Sequence, residues 1–98
     1  MPSAADGTRG GAKIMFEVYR EGGYDRRFRV VYFTELNDHN RGHELDRCLA
    51  GESFLSGYLA ETSRKEARAV IGGALKRLND GDPLTPQGLA AELEPHLA

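Results

Sequence analysis

The stretch from Ser63 to Gly81 constrains the fold of this chain most, because it has every sequence feature of an amphipathic helix. Its opening residues, Ser63-Arg64-Lys65-Glu66, have the form of a capping box, in which a Ser hydroxyl and a Glu carboxylate satisfy free backbone N–H groups. Asn79-Asp80-Gly81 predicts a stop, since glycine readily adopts the left-handed conformation that ends a helix. The apolar residues between these signals fall at helical spacing on one stripe: Ala67, Val70, Ile71, Ala74, Leu75 and Leu78.

Two stretches before this helix, residues 13–20 and 26–36, have the alternating pattern of half-buried β-strands. The Gly22-Gly23 pair between them can adopt the positive φ angles that a hairpin loop needs. The sequence therefore predicts an N-terminal antiparallel hairpin. Its inward-facing residues are Ile14, Phe16 and Val18 on the first strand and Phe28, Val30 and Tyr32 on the second.

The segment between the hairpin and the long helix has a weaker pattern. Residues 40–50 are predicted to form a short helix that Gly51 ends. Residues 52–61 fit either a helical face or a strand face, and Gly57 opposes both. We favour an extended segment or a short third strand there, because Thr62-Ser63 starts a new helix immediately afterwards.

A final helix is predicted after Thr85, whose side chain can cap it. Pro86 suits the first position of that helix, because the N–H that proline lacks would have no partner there. The fold class is therefore α+β: a small antiparallel sheet of two or three strands, with an N-terminal hairpin, covered by the long helix and two shorter helices. The predicted core consists of Ile14, Phe16, Val18, Phe28, Val30, Tyr32, Leu45, Leu49, Val70, Ile71, Leu75, Leu78 and Leu89.

The composition limits the class of protein. A chain of 98 residues suits one domain, which we place at residues 13–98, after a Gly- and Ala-rich lead at 1–12 that we expect to be disordered. The formal net charge of −2 is unlike the strongly basic balance of most nucleic-acid-binding domains. A lone cysteine, Cys48, gives no internal disulfide. No apolar run approaches the ~18 residues of a membrane span, so we expect a cytoplasmic protein with no membrane partner.

The densest cluster of reactive side chains surrounds His39 and His43. On a helix these two histidines would lie one turn apart, a spacing that can chelate a transition metal. The order His-x-x-x-His-Glu matches neither zinc-protease motif, so no general base lies between the ligands. Cys48, between apolar neighbours, has the setting of a core thiol. A metal site at His39 and His43 is thus a third-ranked hypothesis, and we expect no catalytic residues, no enzymatic activity and no cofactor.

Basic residues crowd the predicted hairpin. Arg20, Arg26, Arg27 and Arg29 lie there with Tyr24, and together they could bind a phosphate backbone and stack on a base. The simpler interpretation is a solvated charged face balanced by nearby glutamates.

Gly72-Gly73, in the middle of the long helix, breaks a local rule, since each glycine costs about 1 kcal/mol there relative to alanine. A helix tolerates this where another backbone comes close. We favour packing against the sheet, with a partner or second copy of the chain as the alternative, and take Gly72 and Gly73 as candidate interaction residues.

The hairpin residues Lys13-Ile14-x-Phe16-Glu17-Val18 and Glu21-Gly22-Gly23-Tyr24, with the capped helix at Glu66-Ala67, resemble the opening of the HicB-type antitoxins. The resemblance implies an antitoxin-like β-β-β-α architecture that binds a partner protein. Glu35-Leu36-Asn37-Asp38 does not match the Asp-Leu-Pro-Gly turn of that family, and the final helix also departs from it.

These observations favour a small non-catalytic protein-interaction module, whose partner is another protein or a second copy of the chain. Nucleic-acid binding through the basic hairpin is the alternative.

Overall fold

The computed structural model describes residues 14–34 and 51–98. Within these residues, three strands precede two α-helices, so the chain has an α+β fold. The predicted lead, the predicted helix at 40–50 and the core candidates Leu45 and Leu49 lie outside the described residues. The elements are β1 (Ile14–Arg20), β2 (Phe28–Thr34), β3 (Glu52–Leu59), α1 (Arg64–Asn79) and α2 (Pro86–Leu93), with 3-10 helices at Glu61–Ser63 and Glu94–His96.

The three strands form an antiparallel sheet in the order β2-β1-β3, so β1 is the central strand. The predicted hairpin is confirmed, with Val18 opposite Val30, and the preference for a strand in residues 52–61 is confirmed by β3. Gly57 lies opposite Phe16, and an added Cβ at Gly57 would be 3.1 Å from the Phe16 ring. Gly57, which weakened the prediction of a helix or strand here, therefore makes room for the Phe16 ring in the core.

The turn between β1 and β2 depends on two left-handed residues. Gly23 has a φ of 82° and Arg26 a φ of 52°. The Glu21 N–H donates to the Arg27 carbonyl at 2.8 Å, which closes the hairpin just beyond the last pair of the ladder. The predicted role of the glycine pair is thus carried out by Gly23, with an arginine as the second left-handed residue.

One face of the sheet packs against the helices. Successive side chains of β1 point to opposite faces, and Ile14, Phe16 and Val18 face the same way. They form the main hydrophobic cluster with Leu59, Ala67, Ile71, Ala74, Leu89 and Leu93, and Val30, Tyr32, Val70 and Leu75 pack at its edge. The predicted helix stripe therefore packs against the predicted hairpin face. Phe28, a predicted core residue, is half-buried and outside this cluster, with its ring against Phe54 instead.

The opposite face of β1 is also buried. Met15 and Tyr19 are buried there, and the Glu17 side chain is only 3% exposed. The Ser53 hydroxyl of β3 donates a hydrogen bond to the Glu17 carboxylate. A buried carboxylate is costly unless hydrogen bonds replace its water, so this bond helps to fix β3 beside β1.

The start of α1 differs from the predicted capping box. Ser63 makes no side-chain cap hydrogen bond, because it ends the 3-10 helix Glu61–Ser63 and its backbone N–H donates to the Ala60 carbonyl at 3.1 Å. The predicted stop is confirmed, since Gly81 has a φ of 93°.

Helix α2 is held by a cap and by charge. Thr85 accepts a hydrogen bond from the Gly88 N–H at 3.0 Å, which confirms the predicted N-cap. Arg77 of α1 donates to the Glu92 carboxylate at 3.0 Å and lies 3.6 Å from that of Asp82. These contacts raise the pKa of Arg77, mainly through the hydrogen bond with Glu92, and they link the two helices.

We predict that Ile71→Ala lowers the free energy of unfolding by about 2–5 kcal/mol, because Ile71 is fully buried against the sheet and its loss leaves a cavity. Gly73→Ala in the same helix is the matched control and should raise that free energy by about 0.5–1 kcal/mol. Urea denaturation measures both, and equal midpoints for the two variants would contradict this packing.

Candidate interaction surface

The outer edge of β2 can be assigned from its hydrogen bonds. The backbone groups of successive strand residues point alternately to the two sides. Phe28 directs its N–H and C=O away from β1, because both bond to the side chain of Asn79. The same alternation directs the backbone groups of Val30 and Tyr32 outward. Within residues 14–34 and 51–98, β2 pairs with β1 alone, and no backbone group of these residues bonds to Val30 or Tyr32 from that side.

Asn79 acts as a one-residue substitute for a neighbouring strand. Its Oδ1 accepts from the Phe28 N–H at 2.8 Å, and its Nδ2 donates to the Phe28 carbonyl at 3.1 Å. An asparagine side chain carries one acceptor and two donors in the geometry of a peptide group. Asn79 can do this because it is the last residue of α1, at the end of the helix that meets the start of β2. Among the described residues, the edge is therefore occupied at Phe28 and has no backbone partner at Val30 and Tyr32.

A shallow open groove of about 530 Å³ separates the edge of β2 from α1. We call it the β2–α1 groove. Its apolar lining residues are half-buried, whereas its charged ones are exposed. The lining consists of Arg27, Phe28, Arg29 and Val30 from the β2 side and Leu75, Lys76, Asn79 and Asp80 from the α1 side.

The groove carries an excess of positive charge, unlike the chain as a whole, whose formal net charge is −2. Its lining holds three cationic side chains and one carboxylate. Lys76 lies 3.2 Å from that carboxylate, on Asp80, and Arg29 pairs with Glu21 at 2.5 Å. Arg27 has no ion-pair partner among the described residues. Exposed pairs of this kind contribute about 0–1 kcal/mol each, so these cations can exchange partners at little cost.

Arg68 and Tyr32 lie beyond the groove, further along β2 and α1. The Arg68 guanidinium lies 4.2 Å from the centre of the Tyr32 ring, a cation–π contact. Burial raises the pKa of the Tyr32 hydroxyl, and the charge of Arg68 opposes that rise. Arg68, Leu75 and Asn79 therefore lie on the side of α1 that borders β2.

The candidate residues Gly72 and Gly73 take different positions around α1. Gly72 follows Arg68 by four residues and precedes Leu75 by three, so it lies on the same stripe, beside β2. Gly73 is on the exposed side away from it. An added Cβ at either glycine would meet no atom within 4 Å. The expectation that this turn packs against the sheet is therefore wrong for the described residues, and contact with a partner stays a prediction.

The basic hairpin is partly neutralised by internal contacts. Arg20 donates to the Arg26 carbonyl at 3.2 Å and lies 5.3 Å from the centre of the Phe28 ring. Arg26 lies 4.0 Å from the Glu52 carboxylate. Tyr24 is 99% exposed in the turn. Arg27 thus lines the groove, whereas Arg20 and Arg26 contact groups of the hairpin and of β3.

The metal hypothesis concerns His39 and His43, which, with Cys48, lie outside the described residues. Within 14–34 and 51–98, no three His, Cys, Asp or Glu side chains are close enough together to hold a metal ion. Over the same residues, neither helix has the length and apolar character needed to cross a membrane.

Comparisons of the chain with protein-family models, with curated proteins and with solved structures found no match. No family is shown, so the antitoxin-like architecture stays a prediction. The candidate surface therefore depends on its own geometry. Sequence reasoning found Arg27, Arg29 and Gly72 and missed Asn79, which it treated only as part of a helix stop.

We predict that Asn79→Ala lowers the free energy of unfolding by about 1–3 kcal/mol, because it removes two part-buried hydrogen bonds to Phe28. Asp80→Ala is the neighbouring control and should cost less than about 1 kcal/mol, since it removes one exposed ion pair. Urea denaturation of both variants measures this, and equal losses would show that the Asn79 amide does not hold the edge.

Proposed function

We propose that this protein is a non-catalytic interaction module that binds an extended segment of a partner protein along the outer edge of β2. The observation that carries the proposal is the outward-facing backbone of Val30 beside the open β2–α1 groove. In this mode of binding, called strand addition, an extended peptide pairs with an exposed sheet edge. Main-chain hydrogen bonds to the edge give affinity, and pockets beside the edge give specificity. The groove supplies such a pocket on the α1 side.

The groove suits a polypeptide better than a nucleic acid. A row of peptide donors and acceptors matches another strand, whereas phosphate binding requires freely placed cations. Of the five hairpin residues considered for nucleic-acid binding, Arg20, Arg26 and Arg29 contact groups within the protein. The net charge of −2 also opposes binding to a polyanion.

The charges also favour a different protein over a second copy of this chain. Pairing the β2 edges of two copies would bring together two grooves that each carry three cationic side chains and one carboxylate. Like charges that face each other across a strand pair are destabilising, and natural edge strands use charge in this way to prevent self-pairing. The partner's segment is therefore a strand with other side chains.

We expect linear peptides selected from a random display library against the whole chain to bind wild type and to lose at least about tenfold in affinity with Gly72→Leu. The added leucine side chain would narrow the space between α1 and β2 that a bound peptide occupies. Gly73→Leu is the matched control: it replaces a glycine in the same helix, also with no atom near its Cβ, and should leave the affinity unchanged. Fluorescence anisotropy measures both.

Equal affinity for the two leucine variants would contradict the proposal, because the peptides would then bind elsewhere. Labelled random-sequence RNA and DNA at low salt provide the second arm. Nucleic-acid binding that falls with rising salt and depends on Arg27, in the absence of any peptide binding, would support the alternative function instead. Light scattering on the same samples checks that the peptide-binding species is a monomer.

A further inference from the structure

We propose that the segment bound along β2 is the C-terminal end of the partner chain, and that its terminal carboxylate lies in the β2–α1 groove beside Asn79. This inference rests on the proposed function and adds which part of the partner is recognised. It follows from the point at which pairing along β2 has to stop and from the charges of the groove at that point.

Asn79 sets the point at which an added strand has to leave the sheet edge. Its side chain already bonds to both backbone groups of Phe28, so a partner strand can pair at Val30 and Tyr32 but not at Phe28. Because each strand residue advances the chain by about 3.3 Å, such a strand has to turn away or end within about two residues of Val30. A chain that ends there needs no space for a turn beside α1.

The direction of the added strand decides which end of the partner lies beside Asn79. The central strand β1 pairs antiparallel with both of its neighbours, and purely antiparallel sheets are more common than chance would give. Because β2 runs from Phe28 to Thr34, an antiparallel strand would run from Tyr32 toward Phe28 and bring its C-terminus to Asn79. A parallel strand would bring its N-terminal ammonium group there instead.

The charges of the groove suit a carboxylate better than an ammonium group. Its lining holds three cationic side chains and one carboxylate. Arg27, from the β2 side, is exposed and has no ion-pair partner among the described residues. Lys76, from the α1 side, has an exposed pair with Asp80 at 3.2 Å, which can be exchanged at little cost. Both cations can therefore turn to a terminal carboxylate.

The Asn79 amide and the end of α1 also bear on the site. The amide nitrogen carries two N–H donors, and only one of them has an acceptor among the described residues, the Phe28 carbonyl. The other is left to donate to a carboxylate. The C-terminal end of a helix is partially negative, but the last carbonyls of α1 already accept from the backbone N–H groups of residues 80–82. The full charges of Arg27 and Lys76 therefore dominate.

The test uses peptides of about six residues, the usual length of a strand, selected on the full chain from a library displayed with free C-termini. Each selected peptide is made with a free carboxylate, with a C-terminal amide, and with two glycines added after its last residue. We expect the second and third forms to bind at least about tenfold more weakly in fluorescence anisotropy. The amide lacks the charge, and the longer peptide continues past Asn79. Acetylation of the N-terminus is the matched control and should leave the affinity unchanged.

Variants of the chain locate the carboxylate. Arg27→Gln combined with Lys76→Gln should weaken the free-carboxylate peptide at least about tenfold and the amide less than about twofold, because the two changes remove the same interaction. Arg64→Gln combined with Lys65→Gln is the matched control: it removes the same charge from exposed residues outside the groove lining and should leave both affinities unchanged. Equal affinity of the carboxylate and amide forms would overturn the inference, and so would a carboxylate preference that persists in the groove variant.

Failure of this inference can be distinguished from failure of the proposed function with Gly72→Leu. If the carboxylate and amide forms bind equally and both lose affinity with Gly72→Leu, the interaction site stands and the recognition of a chain end is wrong. If the carboxylate form is preferred but neither Gly72→Leu nor the groove variant changes its affinity, both proposals are wrong. A library that yields no binding peptide would contradict both as well.

Discussion

The fold depends on β1, a central strand that is buried on both of its faces. Phe16 and Val18 pack under the helices on one side, and Glu17 is buried on the other with the Ser53 hydroxyl bonded to it. Because β1 pairs with β2 on one side and β3 on the other, it fixes both outer strands. The apolar side chains of β1 are buried against the apolar stripe of α1. This burial stabilises a sheet that is too small to be stable without helices packed on it.

Placing β1 in the centre leaves two sheet edges, and the chain treats them differently. At β3, the Ala60 N–H donates to the His96 carbonyl and the Ala98 N–H to the Tyr58 carbonyl, so the C-terminal residues cover part of that edge. At β2, within the described residues, the Asn79 side chain holds both backbone groups of Phe28, and Val30 and Tyr32 have no backbone partner on that side. We propose that a strand of a partner protein pairs with this edge.

The elements set by local signals could be predicted from the sequence. The apolar stripe of α1, the alternation in the hairpin, the cap at Thr85 and the stop at Gly81 each depend on residues within a few positions of one another. The predicted capping box at Ser63 does not form, because Ser63 is the last residue of a 3-10 helix. The four residues of the capping-box pattern give no information about the turn that precedes them.

The groove could not be predicted because it depends on contacts between distant residues. The order of the strands is decided by which edge of β1 receives β3, and the pairing of Phe28 with Asn79 joins residues 51 positions apart. Gly57 gave no signal of its role until Phe16 was placed opposite it. Local signals marked single residues of this surface: a cluster of arginines that includes Arg27 and Arg29, and at Gly72 a helical glycine whose cost calls for an explanation.

We propose that the outward-facing backbone of β2 at Val30 and Tyr32 hydrogen-bonds to a partner strand. Amide hydrogen exchange of these two residues is the decisive measurement, made with and without a peptide selected from the display library. We expect fast exchange in the free protein and strong protection in the complex, while Val31, whose N–H faces β1, is protected in both. Peptide binding that leaves the exchange of Val30 and Tyr32 unchanged would contradict this proposal.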